Sequence, residues 1–161
     1  MSRKVVHQQK PIGLVFRLAG SEDLRGIVRI AHRLWPKHST QALRREFASY
    51  CGTPENFLYV ATSVRNHIIG FIHGSIRHEY IHGATTDRVG YIEGIYVVPQ
   101  YRRMGVARQL VKAFELWSVQ LGCREFASDA DLLNAASYSF HKHLGYRQVE
   151  KVIHFLKRLP T

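Results

Sequence analysis

The run Tyr91-Ile92-Glu93-Gly94-Ile95-Tyr96-Val97-Val98-Pro99 leads without a break into Gln100-Tyr101-Arg102-Arg103-Met104-Gly105-Val106-Ala107-Arg108, and the reading of this junction decides the fold. Its first half is rich in β-branched and aromatic residues, the composition of a strand, and Pro99 ends it. Past the basic turn, Val106, Leu110, Ala113, Phe114 and Trp117 recur at helical spacing, so the turn opens into an amphipathic helix. The first amides of that helix have no intrahelical partner and stand at the positive end of its dipole, which suits an anion. Gly105 and Ala107 let a ligand approach the backbone closely, and Arg102, Arg103 and Arg108 add positive charge at the same place. Strand, glycine-bearing basic turn and helix together read as a cradle for a pyrophosphate.

Toward the N-terminus, Leu14 to Ala19 reads as a first strand and Ser21-Glu22-Asp23 as a helix start with acids in its first turn. Leu24, Ile27, Val28, Ala31, Leu34 and Trp35 keep an apolar stripe until Pro36 closes that helix. A second helix is expected from Gln41 to Cys51, broken by Gly52 and Pro54. Strands are predicted from Phe57 to Val64 and from Ile68 to His78, joined by Arg65-Asn66-His67, and a third from Val89 to Val98 after the loop 82–87. Beyond the junction helix, which runs to Gly122, come a strand from Arg124 to Ser128, a helix from Asn134 to His143 and a closing strand from Arg147 to Leu156. This order predicts an α/β (α+β) fold with a central mixed, mostly antiparallel sheet flanked by helices. Residues 14–161 read as a single domain and residues 1–13 as a basic tail.

A chain of 161 residues with 45% hydrophobic and 11% aromatic content can bury an ordinary core, which excludes wholesale disorder. No apolar run approaches the roughly 20 residues needed to span a bilayer, and the N-terminus lacks an apolar signal core, so a cytoplasmic location with no membrane partner is expected. The formal charge of +11 raises nucleic-acid binding. However, Arg3, Lys4, Arg44, Arg45, Arg102, Arg103, Lys157 and Arg158 are scattered and follow no zinc-finger, helix-turn-helix or RNP pattern, so no nucleic-acid partner is expected. Cys51 and Cys123 have no CxxC spacing and read as free thiols. His78-Glu79-Tyr80-Ile81-His82 matches the HExxH zinc pattern, which needs a helix. Here it continues an alternating, glycine-bearing run into a turn at Gly83, where the two histidines diverge, so no metal is expected.

Arg102-x-x-Gly105-x-Ala107, placed between strand and helix, resembles the coenzyme A signature of the GNAT superfamily of N-acetyltransferases. Four further pieces occur in order: Ser75 to Gly83, Ile92 to Pro99, Glu125 to Asp129, and His143-Leu144-Gly145-Tyr146. Together they resemble the aminoglycoside 6'-N-acetyltransferases of the chromosomal, dimeric subgroup, from about Leu14 to Leu159. The resemblance implies a GNAT fold, acetyl-CoA as donor co-substrate, the 6'-amine of a deoxystreptamine aminoglycoside as acceptor, and a homodimer. Carried over residue by residue, it puts the antibiotic on Trp35, His38, Tyr80, Glu93, Asp129 and Glu150. It puts acetyl-CoA on Ile95, Tyr96, Val97, Arg103, Met104, Gly105, Val106, Ala107, Arg108 and Asn134.

The chemistry of these residues fits that expectation. An aminoglycoside is a polycation, and a basic protein holds one only in a locally negative pocket, which works because charges farther than about 8 Å are screened at physiological salt. Glu93 in an apolar strand costs stability unless something pairs with it. Glu150 reads equally as a ligand or an ordinary salt-bridge partner, and Trp35 as core or as a platform for sugar rings. The expected mechanism is direct transfer in a ternary complex, in which Glu93 or Asp129 accepts the amine's proton through water and the amide near Val97 donates to the thioester oxygen. His141 stands where many GNAT enzymes have a tyrosine acid, seven residues after Asn134, and reads either as that acid or as a bystander to a thiolate that leaves unaided. An enzyme acetylating a polyamine, another small amine or a protein N-terminus is the alternative, and a basic binding module without turnover is a third.

Overall fold

Ile68–Arg77 is buried along most of its length, as a strand covered on both faces must be, and the sheet is built around it. The computed structural model describes residues 13–159, so the expected basic tail lies outside the described residues except for Gly13. In chain order the elements are β1 (Val15–Leu18), α1 (Leu24–Leu34), α2 (Thr40–Tyr50), β2 (Asn56–Thr62), β3 (Ile68–Arg77), β4 (Val89–Val97), α3 (Val106–Gln120), β5 (Glu125–Ser128) and α4 (Ala135–His143). The sheet order is β1-β2-β3-β4-β5. Neighbours are antiparallel except β4 and β5, which run parallel because α3 carries the chain across between them.

The helices are sited by their apolar stripes and caps. Leu24, Ile27, Val28, Ile30 and Ala31 bury one side of α1, and the Ala42 amide donates to Ser39 Oγ at the start of α2. Phe114 of α3 lies against β3 where Gly74 has no side chain, since a Cβ there would stand 2.6 Å from Cδ2 of the ring. These faces meet in one apolar cluster that includes Phe47, Phe57, Phe71, Ile72, Leu110 and Phe114. Before α1, the chain makes a 3-10 turn in which buried Asp23 takes two hydrogen bonds from Arg17 and one from the Gly20 amide.

Two features of β4 position the site. Its ladder with β5 covers only Val89 to Ile92, so the remaining half of the strand has no neighbour on that side. In its ladder with β3, His73 pairs with Gly94 and Gly74 with Ile92, which leaves Glu93 as an extra residue in a β-bulge.

The expected closing strand from Arg147 to Leu156 is not formed: residues 147–159 join no ladder of this chain. Alternating apolar residues favour an extended segment but do not supply a partner for its backbone. Ile153, Phe155 and Leu156 are instead 75 to 92% exposed.

Candidate active site

The turn after β4 is shaped by two left-handed residues, Arg103 at φ 62° and Gly105 at φ 80°. Such a turn points successive amides into one concavity, an anion nest. A Cβ on Gly105 would meet no protein atom within 4 Å, so the space before the start of α3 is open. The first amide bonded to this end of α3 is that of Gln109, which donates to Gly105 O, and the amides of Val106 to Arg108 carry the free positive end of the helix. Arg102 does not join the cradle: its Nε donates to Val97 O at 2.9 Å, tying the turn to the strand. Arg103, Met104 and Arg108 are exposed around the opening. This donor set suits a polyphosphate.

Val98 donates its amide to Ile69 O on β3. Because successive amides of a strand point to opposite sides, those of Val97 and Ile95 face away from β3, toward the side that β5 has already left. The wedge between β4 and β5 thus presents unpaired backbone donors beside the phosphate cradle. Asn134 caps α4, its side-chain oxygen accepting from the Ser137 amide at 3.0 Å, and its NH2 makes no hydrogen bond with a described residue.

On the α1–α2 side of β4 lies a cavity of about 380 Å³ lined by Trp35, His38, Glu46, Phe47, Tyr50, Asn56, His73, Ser75 and Glu93. Trp35 reaches it because Gly94 leaves room for the indole on the strand. Glu93 is held by Arg77 through Nε at 2.9 Å and Nη2 at 2.7 Å, and by Ser75 Oγ at 2.6 Å. Burial pushes its pKa up, but these donors outweigh burial and hold the carboxylate below its ordinary range. Arg77 also lies over the Tyr91 ring at 3.5 Å, and the Tyr91 pKa is raised to about 12 by burial first and then by nearby Asp129. Glu93, Arg77 and Tyr91 are therefore in contact in series, with Asp129 near enough to bear on Tyr91 electrostatically.

The residues expected from sequence divide into groups. Trp35, His38 and Glu93 share the cavity. Asp129, exposed just past β5, does not line that cavity. Tyr80 is 83% exposed on the loop after β3 and stands edge-on to His82, which lies 3.7 Å from Glu150. That loop is fastened by Glu125, whose carboxylate accepts from the amides of Thr85 and Thr86 and from both hydroxyls. The two histidines of the HExxH match diverge: His78 pairs with Glu55 at 2.9 Å, His82 with Glu150.

Sequence reading missed Glu46, Tyr50, Asn56, His73 and Ser75. No motif links them, since they come from α2, β2 and β3 and meet only in the fold. His73 is 5% exposed, and burial lowers its pKa to about 4 against the opposing charges of Glu93 and Glu46, so it is neutral at physiological pH.

A model of the acetyltransferase (GNAT) family matches residues 24–146. The aminoglycoside N(6')-acetyltransferase type 1 of Acinetobacter genomosp. 13 is 40% identical over 126 residues, spanning 78% of this chain and 86% of the relative. Among solved structures, the aminoglycoside antibiotic 6'-N-acetyltransferase AAC(6')-Ih from Acinetobacter baumannii has a TM-score of 0.84 at 34% identity, covering 92% of this chain and 100% of that one. AAC(6')-Iy, solved with the bisubstrate analogue CoA-S-monomethyl-acetylneamine, has a TM-score of 0.83 at 33% identity, covering 91% and 99%.

Proposed function

This chain belongs to the acetyltransferase (GNAT) family, and from that premise we infer that it moves the acetyl group of acetyl-CoA to the 6'-amino group of aminoglycoside antibiotics, inactivating them. The observation that carries the reading is the position of Glu93. Its bulge puts an acid-bearing, aromatic-lined cavity on the same strand as the free amides of Ile95 and Val97, so an amine and a thioester can meet across β4. Side-by-side assays of CoA-thiol release with kanamycin, tobramycin and spermidine test it. Release with the two antibiotics alone is expected, and release with spermidine alone would assign the chain to polyamines.

Acetyl-CoA supplies an acetyl thioester to the amine. The amides of 106–108 and the side chains of Arg103 and Arg108 hold its phosphates, with Gly105 keeping the approach open, and Ile95, Tyr96 and Val97 run alongside its pantetheine arm. The Val97 amide donates to the thioester oxygen as negative charge develops there. Glu93, engaged by three donors, is a poor proton acceptor and serves to hold the ammonium and orient it. Asp129, exposed at the end of β5, takes the amine's proton through water. His141 donates Nδ1–H to Ser137 O at 2.7 Å, and its buried Nε2 has no hydrogen-bond partner among the described residues; it takes no proton-transfer role and the thiolate leaves unaided.

Tyr80 and Glu150 belong to the outer rim of the acceptor site. Residues 14–161 act as one domain in the cytoplasm, and two copies form the working unit. Exposed Ile153, Phe155 and Leu156 support a homodimer, since apolar residues grouped in one unpaired segment mark an interface. Light scattering should give twice the chain mass, and Phe155→Asp should reduce it to one.

A further inference from the structure

Resting on the reading of the cavity as the acceptor site, we propose that Glu46 is a second ammonium-binding residue, one that recognises an amino group of the antibiotic other than the one acetylated. Two carboxylates reach this cavity, Glu93 from β4 and Glu46 from α2. Glu93 already has a cation beside it, Arg77, in a two-pronged contact, which leaves only part of its charge for a ligand. Glu46 has no Lys, Arg or His within ion-pair distance among the described residues, so it is the carboxylate of this cavity with no cationic partner.

The carboxylate is also aimed. Tyr50, one helical turn further along α2, donates its hydroxyl to Glu46 Oε1 at 2.8 Å, and Oε2 makes no hydrogen bond with a described residue. Tyr50 in turn is fixed from two sides. It stacks on His73 with ring centroids 4.0 Å apart and 19° between planes, and meets Phe47 edge-on at 6.1 Å. His73 is anchored by a 3.0 Å hydrogen bond between Nε2 and Asn56 Oδ1. A chain of contacts from β2 through β3 to α2 thus pre-sets one free oxygen of Glu46, which lowers the ordering cost of catching a cation. The neutral state of His73 adds no positive charge to oppose it. Trp35 and the Tyr50 ring supply apolar faces on which an amino-sugar ring can lie.

A monoamine has no use for this arrangement. A molecule carrying several ammonium groups on a rigid sugar frame can satisfy Glu93 with one and Glu46 with another, so Glu46 makes the site selective for polyamino sugars. Tyr50 is a positioning residue: it acts only by holding Glu46.

The test measures kcat and KM for kanamycin in wild type, Glu46→Gln and Tyr50→Phe, with Glu22→Gln as a control of equal charge change outside the cavity. Glu46→Gln is expected to raise the kanamycin KM roughly tenfold, the scale of one charge-assisted hydrogen bond. Its kcat and its acetyl-CoA KM should stay within about twofold, and the KM penalty should shrink as salt rises from about 20 to 500 mM. Tyr50→Phe should raise the same KM less, and Glu22→Gln not at all. An unchanged kanamycin KM in Glu46→Gln, or a loss confined to kcat, overturns the assignment while leaving the activity in place. Wild type that releases no thiol with any aminoglycoside instead overturns the functional reading on which it rests.

Discussion

Gly94→Ala is the substitution whose effect can be worked most directly from the structure. Gly94 sits in β4 beside the Glu93 bulge, and a Cβ there would press into Cη2 of Trp35 and stand 2.6 Å from Cζ2. Carbon atoms pack at about 3.5 to 4.0 Å, so the indole must move by about 1 Å. Phe47 and Phe71 back the ring, each with a centroid separation of 6.2 Å, so it can yield only toward the cavity. Overpacking of this kind costs about 1 to 3 kcal/mol, offset in part by up to about 1 kcal/mol gained when Ala replaces Gly in a strand. A net loss of about 1 to 2 kcal/mol lowers Tm by about 2 to 8 °C for a chain of this size. Because the displaced ring narrows the acceptor cavity, the aminoglycoside KM should rise at least fivefold on the order-of-magnitude rule that small displacements at a site are costly. The acetyl-CoA KM should hold, since the phosphate cradle lies past the far end of the strand. Thermal melting and initial-rate kinetics on the same preparation read both effects. An unaltered Tm with an unaltered acceptor KM would refute the placement of Trp35 against β4.

Gly105→Ala costs about 1 kcal/mol for an alanine held at positive φ, and its methyl projects into the mouth of the cradle, so calorimetry should show acetyl-CoA binding weakened by far more than stability is. Arg77→Gln leaves Glu93 half-buried with Ser75 as its remaining side-chain donor, raising its pKa. The wild-type pair stabilises the fold above the ordinary carboxylate range and loses that contribution as pH falls through the lowered folded pKa. The variant should therefore be less stable at pH 7, by about 2 kcal/mol, and show a flatter stability profile below pH 5 by urea titration. Asp23→Asn removes the partner of Arg17 from a site 6% exposed and should cost about 2 kcal/mol with the same flattening in acid, because the Arg17 hydrogen bonds hold Asp23 below its usual range against burial. Its kinetic constants should not change, as it stands outside both ligand sites.

What could be read from the chain was whatever depends on local order. The β4–α3 junction, the stripe of α1 and the helix from Asn134 to His143 rest on short-range patterns, and the structure places each within a residue or two of expectation. What could not be read depends on partners distant in sequence. Arg77 and Glu93 meet because β3 and β4 are adjacent, and Glu46, Asn56 and His73 converge from three elements without a shared spacing. Two glycines inside β4, Gly90 and Gly94, were a usable signal of irregularity, since glycine within a strand marks a bulge or a close approach. The segment from Arg147 to Leu156 was misread for the same reason in reverse: its apolar residues fit a strand, but pattern does not say whose edge would receive it.

On the proposed reading, an amine on the cavity side of β4 receives the acetyl group held in the wedge. Incubating the protein with acetyl-CoA and kanamycin and locating the new amide by two-dimensional NMR tests this most directly. One acetamide is expected, at the 6'-nitrogen, formed in step with thiol release. Acetylation at any other amine, or thiol release with no acetylated antibiotic, would contradict it.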